Sequence, residues 1–395
     1  MQPTGILTRA LFFIALFFLS SQFLLAQLSP LKTRCIWIVR ESMYTEATID
    51  SALIYAYQAG YDIVFVQVRG RGYAFYDSNI VPKHPKIEPG FDPLEYTLRL
   101  SAALGLEVHA WMNSYILWSS RNEPEDMRHL YHVHKEWTEA NIHGKMDSQI
   151  KLSDPQSPQW EGVYLSPLHP EVNPYLLSVY SEIINEYNVD GIHLDYIRFQ
   201  DEMYGYNRTG MNEFEKIYDI SPRDIIRGII STHYGWDQKF VDSIKVSWKK
   251  FREDAVSELV NDTYNAIRLS GKEIILSAAV KPNLLESRNR WNQDWGSWVQ
   301  DGYIDLVVPM NYYKEIRYFN NAVQIMKSNL HPDAKNRIIM GVSTHNQDAK
   351  STADKILLTR LNGFIGVSVF SYDTHKNNLE WFTPVTEALG LHRYD

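Results

Sequence analysis

In the stretch VDGIHLDYIRF, residues 189–199, the part 189–197 has the pattern of a strand that is buried on both faces. Side chains alternate between the two faces of a strand, so His193 and Asp195 share one face while Ile192 and Leu194 share the other. Polar side chains on a buried strand are costly to desolvate, and a purely structural strand avoids them. The stretch therefore predicts a strand whose end delivers Asp195 to a functional site.

Seven further apolar runs of similar length recur along the chain and predict parallel strands covered on both faces. They are 35–40, 62–69, 107–113, 273–280, 303–312, 337–343 and 363–372. Helical periodicity between the strands is clearest over 48–59, 93–104, 174–188 and 246–268. Eight strands alternating with helices predict an α/β fold, a (β/α)8 TIM barrel. An open doubly wound sheet is the alternative, but no glycine-rich phosphate loop follows the first strand.

Two predicted connections are long, and both leave the carboxyl end of a strand. The one after strand 3 covers about 114–170, and the one after strand 4 covers about 200–245. Barrel enzymes build their sites at these strand ends, and long irregular loops there are usually functional. Both loops are rich in Trp, Tyr and His, which suits the wall of a sugar-binding cleft. Four histidines of the first loop are expected to face solvent rather than to bind a metal: His129, His132, His134 and His143.

Composition and the N-terminal segment bear on where the protein acts. Arg9 followed by the apolar run 10–19 predicts a signal peptide over 1–26, leaving a single barrel domain over 27–395 that is secreted or periplasmic in a bacterium. An uncleaved anchor is the alternative; no later run is long enough to span a membrane. The net charge of −8 argues against a nucleic-acid partner. With Cys35 as the only cysteine, no intramolecular disulfide can form.

Polar side chains at the strand ends are the candidate site, because a barrel mouth gathers them into one pocket. Glycoside hydrolysis needs two carboxyl groups. Asp195 supplies one, as nucleophile or stabilising carboxylate, while Glu41 and Asp373 are candidates for the second and Asp77 remains possible. No cofactor or metal is implied. The residues predicted to bind substrate are Arg40, Gln67, Arg69, His109, Trp111, Asn113, His193, Arg198, Lys281, Tyr312 and Tyr372.

Five ordered blocks of sequence give the chain a specific resemblance to glycosyl-hydrolase-like family 10. The blocks are CIWIVRESM at 35–43, FVQVRGRGYAFYDS at 65–78, DPLEYTLRLSAALGLEVHAWMNSY at 92–115, 164–199 and DWGSWVQDGYIDLVVPMNYY at 294–313. The resemblance implies a (β/α)8 fold and cleavage of bacterial cell-wall glycan, notably strands stripped of their peptide stems.

The resemblance also bears on individual residues. Asp195 matches the family's acidic residue on the fourth strand, and Arg69 and Asn113 match polar positions at neighbouring strand ends. The family often carries a second acid directly after the first, where this chain has Tyr196, and Ile197 stands where a chitinase-type pattern has its acid/base residue. The second carboxyl group is therefore left open. A glycosidase on another extracellular polysaccharide and a non-catalytic glycan-binding barrel are the alternatives.

Overall fold

The computed structural model describes residues 31–155 and 160–390, so the predicted signal peptide lies outside the described residues. Eight parallel strands form one sheet in which β7, β8 and β1 to β6 are neighbours in that order. Isolated parallel bridges from Val307 to Ile338 and from Met310 to Gly341 join β6 to β7 and complete a barrel. The predicted (β/α)8 fold is confirmed. The strands are β1 Thr33–Ile38, β2 Ile63–Gly70, β3 Glu107–Asn113, β4 Gly191–Asp195, β5 Ile275–Val280, β6 Leu306–Pro309, β7 Ile339–Ser343 and β8 Gly366–Phe370.

Helices surround the barrel, and their ends carry the caps that the sequence encodes. The Asp92 carboxylate accepts a hydrogen bond from the backbone N–H of Glu95 at 3.0 Å, and Gly105 ends that helix at φ +69°. The described helices are α1 Glu46–Gln58, α2 Pro93–Leu104, α3 Leu130–Val133, α4 Val172–Glu186, α5 Arg208–Tyr218, α6 Pro222–Ile226, α7 Gln238–Ser270, α8 Leu284–Trp291, α9 Trp295–Asp301, α10 Ile316–Asn329, α11 Ala349–Leu361, α12 Tyr372–His375 and α13 Thr383–Leu389. Within 31–155 and 160–390, none of the helices combines the length and the apolar character needed to cross a membrane.

The core has two parts, separated by the barrel wall. Ile192 and Leu194 face outward and pack with the helices, whereas Trp37, Phe65 and Trp111 fill the barrel interior. His193 lies inside with them, because its ring centroid is 4.3 Å from that of Phe65. The alternation predicted for the fourth strand is therefore correct, and it directs Asp195, at the carboxyl end of β4, towards the barrel mouth.

Both predicted long connections are present, and each contains structure of its own. After β3, the chain forms a short antiparallel pair between Ile116–Trp118 and Val163–Tyr164, together with α3. After β4, it forms α5 and α6 before the long helix α7, which begins at Gln238 rather than near 246 because the Asp237 carboxylate caps it. We refer to residues 114–171, between β3 and α4, as the β3 insertion.

One histidine of the β3 insertion contradicts the expectation that all four face solvent. His129 is fully buried, and its Nε2 lies 2.8 Å from the carbonyl oxygen of Arg71. Burial lowers the pKa of His129 to about 4, so the ring is neutral near pH 7. His143 is exposed, as predicted. His129 thus helps to attach the insertion to the segment that follows β2.

Candidate active site

Asp195 lies at the carboxyl end of β4 and is almost fully buried. Its Oδ2 accepts a hydrogen bond from the indole N–H of Trp111 at 3.1 Å, and its Oδ1 accepts one from the backbone N–H of Tyr196 at 2.7 Å. Burial outweighs these two hydrogen bonds and raises the pKa of Asp195 to about 6. A carboxyl group of this kind can hold a proton under mildly acidic conditions.

The chain turns sharply directly after this aspartate. Tyr196 adopts φ +52°, a left-handed conformation that costs a non-glycine residue on the order of 1 kcal/mol. The turn explains why β4 ends at Asp195 and not at 197, where the apolar pattern predicted its end. Strained backbone of this kind is concentrated at functional sites, which makes the end of β4 a candidate for one.

A belt of polar side chains continues from Asp195 across the ends of β3, β2 and β1. Asn113 pairs with Asp195 in the strand register. The Gln67 amide donates to the Asn113 side-chain oxygen at 3.2 Å, and its own oxygen accepts from the Arg40 guanidinium at 3.1 Å. Three residues predicted to bind substrate are therefore brought together along one edge of the mouth.

Glu161, in the β3 insertion, is the carboxylate that the sequence reasoning missed. Both of its oxygens accept from Nη2 of Arg198, at 3.1 and 2.8 Å, and one also accepts from the Tyr164 hydroxyl. Burial alone would raise the pKa of Glu161, but the positive charges of Arg198 and Lys281 and these hydrogen bonds outweigh burial and lower it. Arg198 was predicted to bind substrate, and its guanidinium forms an ion pair with Glu161.

The Arg198 guanidinium that binds Glu161 lies 5.2 Å from the ring centroid of Tyr196, the residue directly after Asp195. The charge of Glu161 also contributes to the raised pKa of Asp195. Glu161 is ionised and keeps about a third of its side-chain surface exposed. The sequence offered one weak sign of it. The block that resembles the family begins at Tyr164, inside a loop and only three residues after Glu161.

The backbone around Glu161 is fixed by Asp147, a fully buried carboxyl group of the same insertion. Its Oδ1 accepts from the indole N–H of Trp160 at 3.1 Å, and its Oδ2 accepts from the backbone N–H of Tyr164 at 3.0 Å. These two donors lie on either side of Glu161 in the sequence. Next to it, a Cβ atom at Gly162 would come within 2.3 Å of the Trp118 carbonyl oxygen, so only glycine fits there.

The mouth opens on the side of β5 and β6 into a cleft of about 430 Å³, which we call the β5–β6 cleft. Tyr312 lines this cleft, and burial, followed by the charge of Asp195, raises the pKa of its hydroxyl. Two residues predicted to bind substrate, Lys281 and Tyr312, are thus brought to the cleft. Its lining residues are Lys281, Pro282, Asn283, Glu286, Arg290, Trp291, Met310, Tyr312 and Tyr313.

Two histidines predicted to bind substrate lie beneath the mouth, in the barrel interior. His109 pairs with Gly191, at the start of β4, and burial lowers its pKa to about 3. His193 lies one layer higher, and its Nδ1 is 2.8 Å from the Ser277 hydroxyl. Both rings are fully buried, so they support the floor of the site and are not on its surface.

Two further predicted ligands point away from the mouth. A register shift between Gln67 and Arg69 pairs Arg69 with the outward-facing Met112, so these two polar residues do not share a face. The Arg69 guanidinium is fully buried and donates to the carbonyl oxygens of Asn113 and Ser114. Tyr372 begins α12, beyond the end of β8, and its ring packs 5.5 Å from Tyr55 of α1.

Of the two carboxylates predicted to be the partner of Asp195, one is engaged in holding the backbone. Asp373 accepts from the backbone N–H of Val39 at 2.7 Å and from the Ser42 hydroxyl at 2.6 Å. Glu41 lies at the rim, almost half exposed, and pairs with Arg40 at 2.9 Å. The charge of Glu161, by contrast, contributes to the raised pKa of Asp195.

The model of the family described as glycosyl hydrolase-like 10 matches residues 32–355. The chain belongs to this family. It is 25% identical over 297 residues to glycosyl hydrolase DigH of Escherichia coli K12, covering 69% of this chain and 59% of that protein. It is 22% identical over 276 residues to glycosyl hydrolase YngK of Bacillus subtilis, covering 64% of this chain and 46% of that protein. The chain therefore spans about half to three-fifths of the length of these relatives.

A solved structure supports the fold assignment independently. The glycoside hydrolase domain of PgaB from Bordetella bronchiseptica superposes with a TM-score of 0.62, covering 90% of this chain and 97% of that domain. The sequence identity is 11%, so the likeness concerns the barrel and not individual side chains.

Proposed function

We propose that this protein is a glycoside hydrolase whose two carboxyl groups are Asp195 and Glu161. The observation that carries the proposal is the contrast between these two groups at one barrel mouth. Burial raises the pKa of Asp195 to about 6, whereas the charges of Arg198 and Lys281, acting against burial, lower the pKa of Glu161. Pairs of carboxyl groups whose environments push their pKa values apart supply the acid and the ionised group that glycosidic cleavage needs.

The two environments assign a role to each group. Asp195 is the general acid, which protonates the oxygen of the leaving sugar while the bond to the anomeric carbon breaks. Glu161 is the ionised carboxylate, which activates water or attacks the anomeric carbon itself. This assignment revises the sequence-based expectation of Asp195 as nucleophile. Arg198 and Tyr164 keep Glu161 ionised, and Trp111 orients Asp195.

The substrate we propose is a bacterial cell-wall glycan strand without peptide stems, cleaved within the chain by a secreted or periplasmic protein. Membership of the glycosyl hydrolase-like 10 family supports a glycan substrate. The mouth supports it further through side chains that bind sugars by hydrogen bonding and stacking, namely Arg40, Gln67, Asn113, Tyr312 and Tyr313.

Digestion of purified glycans tests the proposal directly. Peptide-free cell-wall strands and a panel of neutral and anionic polysaccharides are incubated with the protein and with its Asp195→Asn variant, and the products are identified by mass spectrometry. We expect oligosaccharides from the cell-wall strands with the unsubstituted protein alone. Cleavage of another polysaccharide in preference would overturn the substrate, and saccharide binding without any product would overturn catalysis.

A further inference from the structure

Lys281 follows β5 and extends into the β5–β6 cleft from a fixed backbone. Its backbone N–H donates to the Gln293 side chain at 2.9 Å, and its carbonyl oxygen accepts from the indole N–H of Trp295 at 3.1 Å. Its ammonium lies 4.5 Å from the ring centroid of Trp291. Since both the main chain and the ammonium have defined partners, the positive charge has a defined place in the cleft.

The other cations around this cleft are neutralised by carboxylates. Arg198 pairs with Glu161 at 2.8 Å, and Arg290 pairs with Asp201 at 2.8 Å and more loosely with Glu286. Across 31–155 and 160–390, by contrast, no carboxylate oxygen lies within 4.0 Å of the Lys281 ammonium, which makes no hydrogen bond to a described residue either.

The Lys281 ammonium contacts the Trp291 ring but no carboxylate among the described residues, so the cleft has a place for an anionic partner that the protein chain does not supply. Burial is the main cause that lowers the pKa of Lys281, to about 8. The charges of Arg198 and Arg290 also lower this pKa, whereas the charges of Glu161 and Asp195 raise it. The Trp291 ring offsets only part of the desolvation cost, because a cation–π contact contributes about 0.5–2 kcal/mol. A bound anion would offset more, since it forms a charge-assisted hydrogen bond.

The surroundings restrict what that anion can be. Tyr313 has 38% of its surface exposed on the same cleft and offers an aromatic face for a sugar ring. The Tyr312 ring lines the same cleft, and its buried hydroxyl has no hydrogen-bond partner among the described residues. Because the chain as a whole carries a charge of −8, an anionic glycan needs a local cation to enter the mouth.

We propose that Lys281 makes the β5–β6 cleft selective for a sugar that bears a carboxylate, which its ammonium binds next to the catalytic pair. The inference rests on the proposed function for the position of the glycan. It adds to that function the charge of the sugar and the residue that recognises it. A lactyl ether on an amino sugar and a uronic acid both present this carboxylate.

Binding to the inactive protein separates this inference from catalysis. In the Asp195→Asn background, calorimetry compares a cell-wall tetrasaccharide carrying free lactyl carboxylates with the same compound converted to its primary amides. We expect the amide to bind roughly 10- to 100-fold more weakly, as for a hydrogen bond between charged groups. A tri-uronate oligosaccharide is the second arm and distinguishes the two sources of the carboxylate.

Substitution of the lysine shows whether it is the source of the preference. In Lys281→Met, the acid and the amide should bind within about twofold of each other, whereas Lys281→Arg should keep the preference. Lys216→Met, which alters an exposed ion pair on α5, is the matched control and should change neither affinity. A preference that survives in Lys281→Met, or equal binding of both ligands to the Lys281 protein, would overturn the proposal.

The pH dependence provides a test that needs no variant of Lys281. The preference for the acid over the amide should hold at pH 6–7 and disappear as the ammonium loses its proton above about pH 8. A preference that is unchanged at pH 10 would contradict the role of Lys281. Failure of the unsubstituted protein to cleave the same tetrasaccharide would instead count against the proposed function, because binding is measured independently of turnover.

Discussion

Asp195 and Glu161, the two candidate catalytic carboxyl groups, belong to two regions that are built in different ways. Asp195 is part of the barrel wall, where the register of β3 and β4 places it opposite Asn113. Glu161 belongs to the β3 insertion, where it accepts hydrogen bonds from Tyr164 and Arg198 while Asp147 holds the neighbouring Trp160. Main-chain pairing thus determines the position of one carboxyl group, and side-chain contacts determine that of the other.

Because of this difference, substitutions nearby should displace the two carboxyl groups to different extents. A strand in a closed barrel cannot slip by one residue without turning its whole core face outward, so the position of Asp195 is resistant to substitutions nearby. The insertion has no such constraint, and a single lost hydrogen bond can move Glu161. We therefore expect the two regions to respond differently to mutation.

Among substitutions in the two regions, Asp195→Asn, at the end of β4, should have the largest effect on activity. Loss of the general acid should lower kcat/KM by about 10²–10⁴-fold, while the fold persists because β4 remains paired. Steady-state kinetics and thermal denaturation followed by circular dichroism measure the two quantities. Activity near that of the unsubstituted protein would remove Asp195 from the mechanism.

The substitution Glu161→Gln should have the next largest effect on activity. Unlike Asp195→Asn, it should also reduce the stability of the fold. We expect kcat/KM to fall by about 10²-fold. Arg198, which is only 2% exposed, would lose its ion pair, at a cost of roughly 1–2 kcal/mol because Glu161 is itself partly exposed. The double variant Glu161→Gln/Arg198→Met should recover stability but not activity. Recovery of both would show that Glu161 has a structural role only.

Asp147→Asn tests whether the β3 insertion positions Glu161 through its backbone. Replacing one carboxylate oxygen by an amide nitrogen removes an acceptor from Trp160 or Tyr164, so we expect roughly a tenfold lower kcat/KM. As Glu161 moves away from Arg198, the pKa of Glu161 should rise, so the acidic limb of the pH profile should move to higher pH. The alkaline limb, which reports Asp195, should not move. Glu136→Gln, an exposed acid of the same insertion, is the control. A change in stability without this one-sided shift would argue against positioning.

The pH profile distinguishes the roles of the two carboxyl groups. Asp195 must be protonated to act as an acid, so kcat/KM should fall as pH rises through about 6. At acidic pH, activity should be lost only when Glu161 gains a proton, which happens at a pH below the usual pKa range of a glutamate. Trp111→Phe removes a hydrogen bond that favours the ionised form of Asp195, so the pKa of Asp195 should rise. The alkaline limb of the pH profile should then move to higher pH, and activity at pH 7 relative to the maximum should roughly double. A shift to lower pH would reverse the assignment.

Glu41→Gln should have the smallest effect of the series. Glu41 lies at the exposed rim and pairs with Arg40, and surface ion pairs contribute about 0–1 kcal/mol. We expect kcat/KM and the melting temperature to stay within about twofold and a few degrees of the original values. A loss as large as that of Glu161→Gln would restore Glu41 as the partner of Asp195.

The fold could be predicted because its signals are local and repeated. Strands buried on both faces read as continuous apolar runs, and caps such as Asp92 and Gly105 mark where a helix begins and ends. Alternation then gave the inward face of β4 correctly, with His193 and Asp195 on it. The pattern was less accurate at strand ends, because sequence alone does not reveal a turn such as that at Tyr196.

The positions of the candidate residues were predicted correctly only at or next to the strand ends. Asn113, Gln67 and Arg40 meet at the mouth as expected, since strand order and alternation are enough to place them. Arg69 was placed wrongly because a β-bulge reverses its face, and bulges depend on the packing of both strands. Tyr372 was placed wrongly because the chain leaves β8 two residues before it.

The sequence by itself determined the barrel, the family and the position of Asp195, because periodicity and register act between residues close in the chain or on adjacent strands. Only the tertiary structure revealed Glu161 as the candidate partner of Asp195. Glu161 comes from an irregular insertion, and its position depends on its ion pair with Arg198, 37 residues away, and on the hydrogen bonds that Asp147 accepts from Trp160 and Tyr164 on either side of it. No periodic pattern encodes such contacts, since they follow from the path of the loop and from the need to pair buried charges.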